Sequence, residues 1–92
     1  MRKSNLARKK LTFTGIVQGV GFRPTLTKYA IKHNFSGNII NSKNSVVMFV
    51  QGPFEEISSF LKNIYSIVPP KSRVDSLVAE DLDPVENEKD FE

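Results

Sequence analysis

Gly15-Ile16-Val17-Gln18-Gly19-Val20-Gly21-Phe22-Arg23-Pro24 is the stretch on which the fold and the chemistry of this chain turn. Upstream of it, Leu11, Phe13 and Val17 alternate with Thr12, Thr14 and Ile16, a period of two that predicts a strand over residues 10–17. Downstream, Pro24 suits the first turn of a helix, where its missing N–H leaves nothing unpaired. Leu26, Tyr29, Ala30 and His33 then keep helical spacing, and Asn34 to Gly37 stop the helix. The stretch is therefore a strand-to-helix turn. Gly19 and Gly21 remove the side chains that would hold an anion away from the backbone, and Arg23 adds a permanent forked cation. Free backbone N–H groups, a helix N-terminus and a bidentate guanidinium converge, which is the chemistry of a phosphate cradle. Its members are Gln18, Gly19, Val20, Gly21, Phe22 and Arg23, with Phe22 expected as the core anchor that fixes the loop. A Walker loop needs a Lys-Ser/Thr pair after its last glycine, and the dinucleotide fingerprint needs a different glycine spacing; neither is met.

Gly37 to Asn41 reads as a short second strand, Ser42-Lys43-Asn44-Ser45 as a turn, and Val46 to Gln51 as a third strand. Gly52-Pro53 ends that strand and opens a helix. Ile57, Phe60, Leu61, Ile64 and Val68 form one apolar stripe at i, i+3, i+4, i+7 and i+11, with Glu55 and Glu56 in the first turn. Pro69-Pro70 terminates it. Arg73 to Glu80 predicts a fourth strand with Val74 and Val78 on one face. The order βαββαβ specifies an α+β fold, a ferredoxin-like sandwich in which two helices cover one face of a four-stranded antiparallel sheet.

With 92 residues, 39% of them hydrophobic, including seven Phe and no Trp, the chain can bury one modest core. No apolar run approaches the roughly 20 residues that cross a bilayer, and the basic N-terminus lacks an apolar segment behind it; both point to a cytoplasmic protein without a membrane partner. The absence of cysteine rules out disulfides and thiolate metal sites. One histidine, His33, does not make a metal centre; it is expected at a helix end, where the dipole favours it. The net charge of +3 hides an asymmetry: residues 1–79 carry 12 Lys and Arg against three Asp and Glu, while residues 80–92 carry seven acids and one Lys. Such a body steers anions towards itself. The charged ends read as a basic tail over residues 1–9 and, over residues 83–92, an acidic linker or the start of a truncated last strand, around a domain spanning residues 10–82.

Gly15-x-Val17-Gln18-Gly19-Val20-Gly21-Phe22-Arg23 resembles the signature of the acylphosphatase family. Gly37-x-Ile39-x-Asn41, Val46 to Val50 and Gln51-Gly52 extend the likeness. Arg23-Pro24 and Pro69-Pro70-x-x-Arg73-Val74-Asp75-Ser76 are similar to the N-terminal acylphosphatase-like domain of the HypF hydrogenase-maturation carbamoyltransferases. The resemblance covers roughly residues 10–82. It implies the same ferredoxin-like fold, hydrolysis of acyl phosphates such as carbamoyl phosphate, catalytic roles for Arg23 and Asn41, and no cofactor in this domain. It also implies that the remaining domains of a longer parent chain are partners, and that the chain breaks off near Phe91 as a last strand begins. Two positions depart from the family pattern. Asn38 stands where a bulky aromatic is usual, and Ser45 replaces the hairpin glycine, which shifts the expected left-handed residue to Asn44.

An acyl phosphate is a mixed anhydride with a good leaving group. Its hydrolysis needs the dianion held, charge at phosphorus stabilised and a water aimed in line. The loop and Arg23 suit the first two tasks; the Asn41 amide, by the family's assignment, suits the third. Two other functions fit the same sequence. One is a non-catalytic phosphate-sensing module that keeps the cradle without turnover. The other is a basic nucleic-acid-binding module; Phe13 and Phe49 are its only strand aromatics and no RNP-like pattern accompanies them, which sets nucleic acid behind the phosphatase.

Overall fold

In the computed structural model, which describes residues 5–92, the elements are β1 (Leu6–Ile16), α1 (Phe22–Lys32), β2 (Ser36–Ser42), β3 (Ser45–Pro53), α2 (Phe54–Lys62), α3 (Ile64–Ile67) and β4 (Arg73–Leu82). The strands form one antiparallel sheet in the order β2-β3-β1-β4. This is the ferredoxin-like arrangement that the alternation of period-2 and period-3.6 segments specifies. Directly opposed residues share a face of the sheet. One face therefore carries the rows Ile39–Met48–Leu11–Ala79 and Asn41–Val46–Phe13–Leu77. Leu11, Phe13, Val46 and Met48 are fully buried there, under Phe22, Leu26 and Ala30 of α1 and Ile57 and Phe60 of α2. Aromatic edges lock the layers together: Phe22 meets Phe13 edge-on at 5.0 Å, and Phe60 lies 5.1 Å from Tyr29 and 5.7 Å from Phe35. His33 caps the C-terminus of α1 and stacks on Tyr29 at 4.1 Å, a helix-end residue as expected.

Both charged ends differ from solvated tails. Strand β1 begins at Leu6, so Arg8, Lys9 and Lys10 belong to a central strand; residues 1–4 of the basic tail lie outside the described residues. Pairing explains it. Arg8 and Lys9 form ion pairs with Glu88 and Asp81, and Lys10 stands opposite Glu80. The acidic segment after β4 crosses the other face of the sheet and is held by polar side chains. Gln51 donates to the Val85 carbonyl at 3.0 Å and accepts from its N–H at 2.8 Å, and Ser36 donates to Glu88 at 2.9 Å. Phe91 then forms a parallel bridge to Gly37 on the outer edge of β2 and is buried.

Two elements are less regular than their patterns predict. The long stripe divides at Asn63: its side-chain amide donates to Ser59 O at 2.9 Å, and Ser66 hydroxyl and N–H both turn back to Asn63 O. A polar residue that bonds its own backbone competes with the helix ladder. The stripe still works, because Ile57, Phe60 and Ile64 remain in the core. In β4 the register slips at Thr14/Gly15: Ser76 opposes Thr14, Val74 opposes Gly15, and Asp75 bulges out. Val74 and Leu77 consequently face the core, whereas Val78, expected beside Val74, is 53% exposed on the opposite face.

The bulge is where β1 ends and the cradle begins, and it depends on Gly15. Its φ is +125°, and a Cβ there would sit 2.1 Å from Arg73 O and 2.7 Å from Asp75 N. Backbone atoms cannot yield as a side-chain tip can. Gly15→Ala is expected to cost about 2–4 kcal/mol, read as a fall in the urea midpoint at unchanged slope. An unaltered midpoint would show that the bulge relaxes freely.

Candidate functional site

The cradle is built from the end of β1 to the start of α1. Val17 is buried and pins the incoming chain; Phe22 is 1% exposed and pins the outgoing one. Between them Gln18, Gly19 and Gly21 are exposed and Val20 half-buried, packed on the core. Gly19 and Gly21 have φ of +77° and +80°, and a Cβ at either would meet nothing within 4 Å. The demand at these two positions is thus for conformation and an open approach, not for room against the protein. Left-handed residues flanking Val20 turn successive N–H groups towards one side, the geometry that binds anions in nests.

The start of α1 is left open in a way that the start of α2 is not. Gly21 is the N-cap, its carbonyl accepting from Thr25 N–H at 3.1 Å, and no side chain caps the first turn. That turn holds no acid, and α1 as a whole carries Arg23, Lys28 and Lys32 with no Asp or Glu. In α2, by contrast, Glu55 and Glu56 occupy the first turn. They also lie at the far end of the sheet, where Phe54 N–H donates to Asn5 O just before β1. Neither helix start has a capping side chain, but α2 meets its dipole with two carboxylates, whereas α1 presents its N–H groups and partial positive charge without an acid of its own.

Arg23 stands in the first turn of α1, exposed, and takes part in none of the ion pairs among the described residues. Arg73, on the strand beside Gly15, is engaged differently. Its guanidinium donates to Asp75 at 2.9 Å, and that hydrogen bond and charge raise its pKa above the ordinary arginine value. Of these two arginines, Arg23 is the one with its fork unoccupied.

Asn41 is the penultimate residue of β2, exposed, in the row Asn41–Val46–Phe13 on the helix-covered face. Phe22 packs on Phe13, so the start of α1 overlies the same row. The cradle and the hairpin after Asn41 are also bonded directly. Gln18 Nε2 donates to Lys43 O at 2.9 Å and to Ser45 O at 3.0 Å. The structure thus gathers Gln18, Gly19, Val20, Gly21, Phe22, Arg23 and Asn41 at one end of the molecule, although 18 residues separate Arg23 from Asn41. The two-residue hairpin tip corrects one expectation: the positive φ falls on Lys43, at +47°, and not on Asn44. Ser45, in place of the usual glycine, closes the turn by donating its hydroxyl to Ser42 O at 3.0 Å. The bonds from Gln18 carry no local sequence signal, since their acceptors lie 25 and 27 residues away.

Phe13 is fully buried, and Phe49, on the open face, lies under Lys10 and Arg8 at 5.9 and 5.8 Å. No helix of the described residues is long and apolar enough to cross a membrane.

Comparison with known proteins identifies the family and supports the fold. The acylphosphatase family model matches residues 9–92. The chain is 38% identical over 82 residues to the probable carbamoyltransferase HypF of Methanocaldococcus jannaschii, covering 89% of this chain and 11% of that protein. It is 32% identical over 77 residues to the acylphosphatase of Staphylococcus aureus, covering 84% of this chain and 86% of that one. The crystal structure of full-length HypF in its phosphate- and nucleotide-bound form superposes with a TM-score of 0.87 at 31% identity, over 98% of this chain and 12% of that one. The chain spans about a tenth of the length of the HypF proteins it matches, and corresponds to their N-terminal part. A ferredoxin-like sheet with a glycine-rich strand-to-helix turn, matched by the family model from residue 9 to residue 92, belongs to the acylphosphatase family, and so does this chain.

Proposed function

We propose that this domain hydrolyses acyl phosphates at the cradle formed by residues 18–23. The observation that carries the reading is the joint placement of an uncapped, acid-free helix start, two left-handed glycines, the unpaired Arg23 and the Asn41 hairpin at one end of the sheet. The phosphate dianion sits on the backbone N–H groups of the loop and the first turn of α1, with the Arg23 fork across two of its oxygens. Donors fixed before the substrate arrives stabilise the charge that builds on the phosphoryl oxygens in the transition state. Asn41 orients a water opposite the leaving group. The water oxygen forms a bond to phosphorus, the bond from phosphorus to the acyl oxygen breaks, and the carboxylate leaves with the electron pair. A phosphoryl oxygen takes the proton of the water, so no side chain has to titrate. The reading requires no metal or cofactor from this domain.

Carbamoyl phosphate is the substrate that the likeness to HypF favours, with carbamate as the product handed to the other domains of a longer parent chain. A cytoplasmic setting fits that role. The free-standing S. aureus relative favours a broader range of carboxyl phosphates, so the substrates separate the two. Nucleic acid is disfavoured, because one strand aromatic is in the core and the acidic segment after β4 crosses the face that carries the other. The test is the rate of phosphate release from carbamoyl, acetyl and benzoyl phosphate. Acceleration of all three supports the reading, a preference for carbamoyl phosphate supports its narrower form, and rates equal to those in buffer overturn it.

A further inference from the structure

The amide of Gln18 is the one hydrogen-bonding side chain of residues 18–23 that is already bonded within the protein. Both of its bonds run from Nε2 to main-chain carbonyls of the β2–β3 hairpin, at Lys43 and Ser45, on either side of Asn44. An amide nitrogen has two donor hydrogens, so this pair uses both. A carbonyl oxygen, Oε1, is all that the side chain has left, and an acceptor has nothing to offer a phosphate dianion. Gln18 therefore does not bind substrate through its side chain. We infer that it is a positioning residue, a strut that fixes the hairpin carrying Asn41 against the loop that holds the phosphate.

Three further observations fit a strut. The hairpin tip is conformationally costly: Lys43 has a φ of +47°, a region that non-glycine residues occupy only when something holds them there. The bond from Gln18 is made to the carbonyl of that same residue. Second, Asn41 and Ser42 are exposed at the end of an edge strand, so little packing restrains them. Third, the loop side of the strut is rigidly anchored, because Val17 next to Gln18 is buried and Phe22 is seated on Phe13. Rigidity on one side and freedom on the other make two hydrogen bonds across the gap decisive for the distance between phosphate and water. In-line attack tolerates little error, and a displacement of about 1 Å costs up to roughly a hundredfold in rate.

The inference rests on the acylphosphatase reading for its kinetic consequence but has a structural one of its own. Gln18→Met keeps the shape and removes both donors; Gln18→Glu keeps the shape and leaves only acceptors. With benzoyl phosphate as substrate, each is expected to lower kcat by about ten- to a hundredfold; Ki for inorganic phosphate changes less than about threefold in Gln18→Met, whereas the carboxylate of Gln18→Glu also raises it by repelling the dianion. In an Asn41→Ala background, Gln18→Met should have almost no further effect on kcat, since a strut has nothing left to position. A parallel rise in Ki in the uncharged Gln18→Met would make Gln18 a phosphate ligand, and full additivity with Asn41→Ala would make it independent of the hairpin; either overturns the inference. The second measurement does not use activity. Amide hydrogen exchange at residues 41–45 should accelerate in Gln18→Met while residues 46–50 of β3 stay protected. Unchanged exchange at the hairpin refutes the strut even if the wild-type chain hydrolyses nothing, whereas wild-type inactivity with loosened exchange refutes the phosphatase reading alone.

Discussion

Replacing Arg23 with alanine is expected to reduce kcat/KM for acyl phosphate hydrolysis by about a thousandfold or more, roughly 4 kcal/mol of lost transition-state stabilisation. The size follows from what Arg23 would supply. Backbone N–H groups are fixed partial charges, whereas the guanidinium is a full charge with two parallel donors. It meets a dianion whose charge spreads over its equatorial oxygens as the leaving group departs. Arg23→Lys separates charge from geometry. A lysine restores the charge at a single point, so recovery of no more than about tenfold is expected, well short of wild type. The side chain is exposed and makes no ion pair among the described residues, so the fold should not change and the thermal midpoint should stay within a degree or two. Inorganic phosphate should bind more weakly to both variants. Activity that survives Arg23→Ala would remove the guanidinium from the mechanism.

Asn41→Ala should separate binding from turnover. A fall of about a hundred- to a thousandfold in kcat is expected, with Ki for inorganic phosphate within about threefold of wild type. The reason is positional: Asn41 belongs to β2, two strands away from the phosphate loop, and meets it only across the top of Phe13 and Val46. Asn41→Asp tests the chemistry. A carboxylate has the amide's shape but no N–H to donate and repels the incoming dianion, so it should be at least as damaging as alanine and should also raise KM. Equal losses in phosphate affinity and kcat on Asn41→Ala would place this residue in the cradle itself, and unaltered kcat would leave the attacking water without an oriented partner.

The elements that face the core were legible in the sequence because their signals are local. Alternation at Leu11, Phe13 and Val17, the stripe through Ile57, Phe60 and Ile64, and the punctuation at Pro24 and Gly52-Pro53 each lie within one turn or strand. The strand-to-helix turn between Ile16 and Phe22 was legible for the same reason. What escaped depends on distant partners. Arg8 and Lys9 look like a solvated tail until Glu88 and Asp81, 80 and 72 residues along, come opposite them. The acidic end reads equally as a linker or as the start of a last strand; Gln51, Ser36 and Arg8 hold it to the sheet and Phe91 bridges to β2 at its end. The bulge at Asp75 that turns Val78 outward is a property of the β1–β4 pairing and not of either strand alone. At the hairpin, the choice of Lys43 over Asn44 for the left-handed position reflects the two-residue turn, whose flanking register Ser42–Ser45 fixes where the reversal falls. Residue type alone favours Asn44 there.

These corrections bear on function through electrostatics. With Arg8 and Lys9 paired to the acidic end, Arg23 is the unpaired cation that stands in the first turn of the acid-free α1, beside the loop of residues 18–22. The most direct test of the central claim is steady-state hydrolysis of benzoyl phosphate by the unaltered chain with inorganic phosphate as competitor. Saturable turnover with purely competitive inhibition by phosphate is expected, because product and substrate occupy the same N–H groups and the same Arg23 fork. Turnover that phosphate does not compete with, or no turnover above that in buffer, would contradict it.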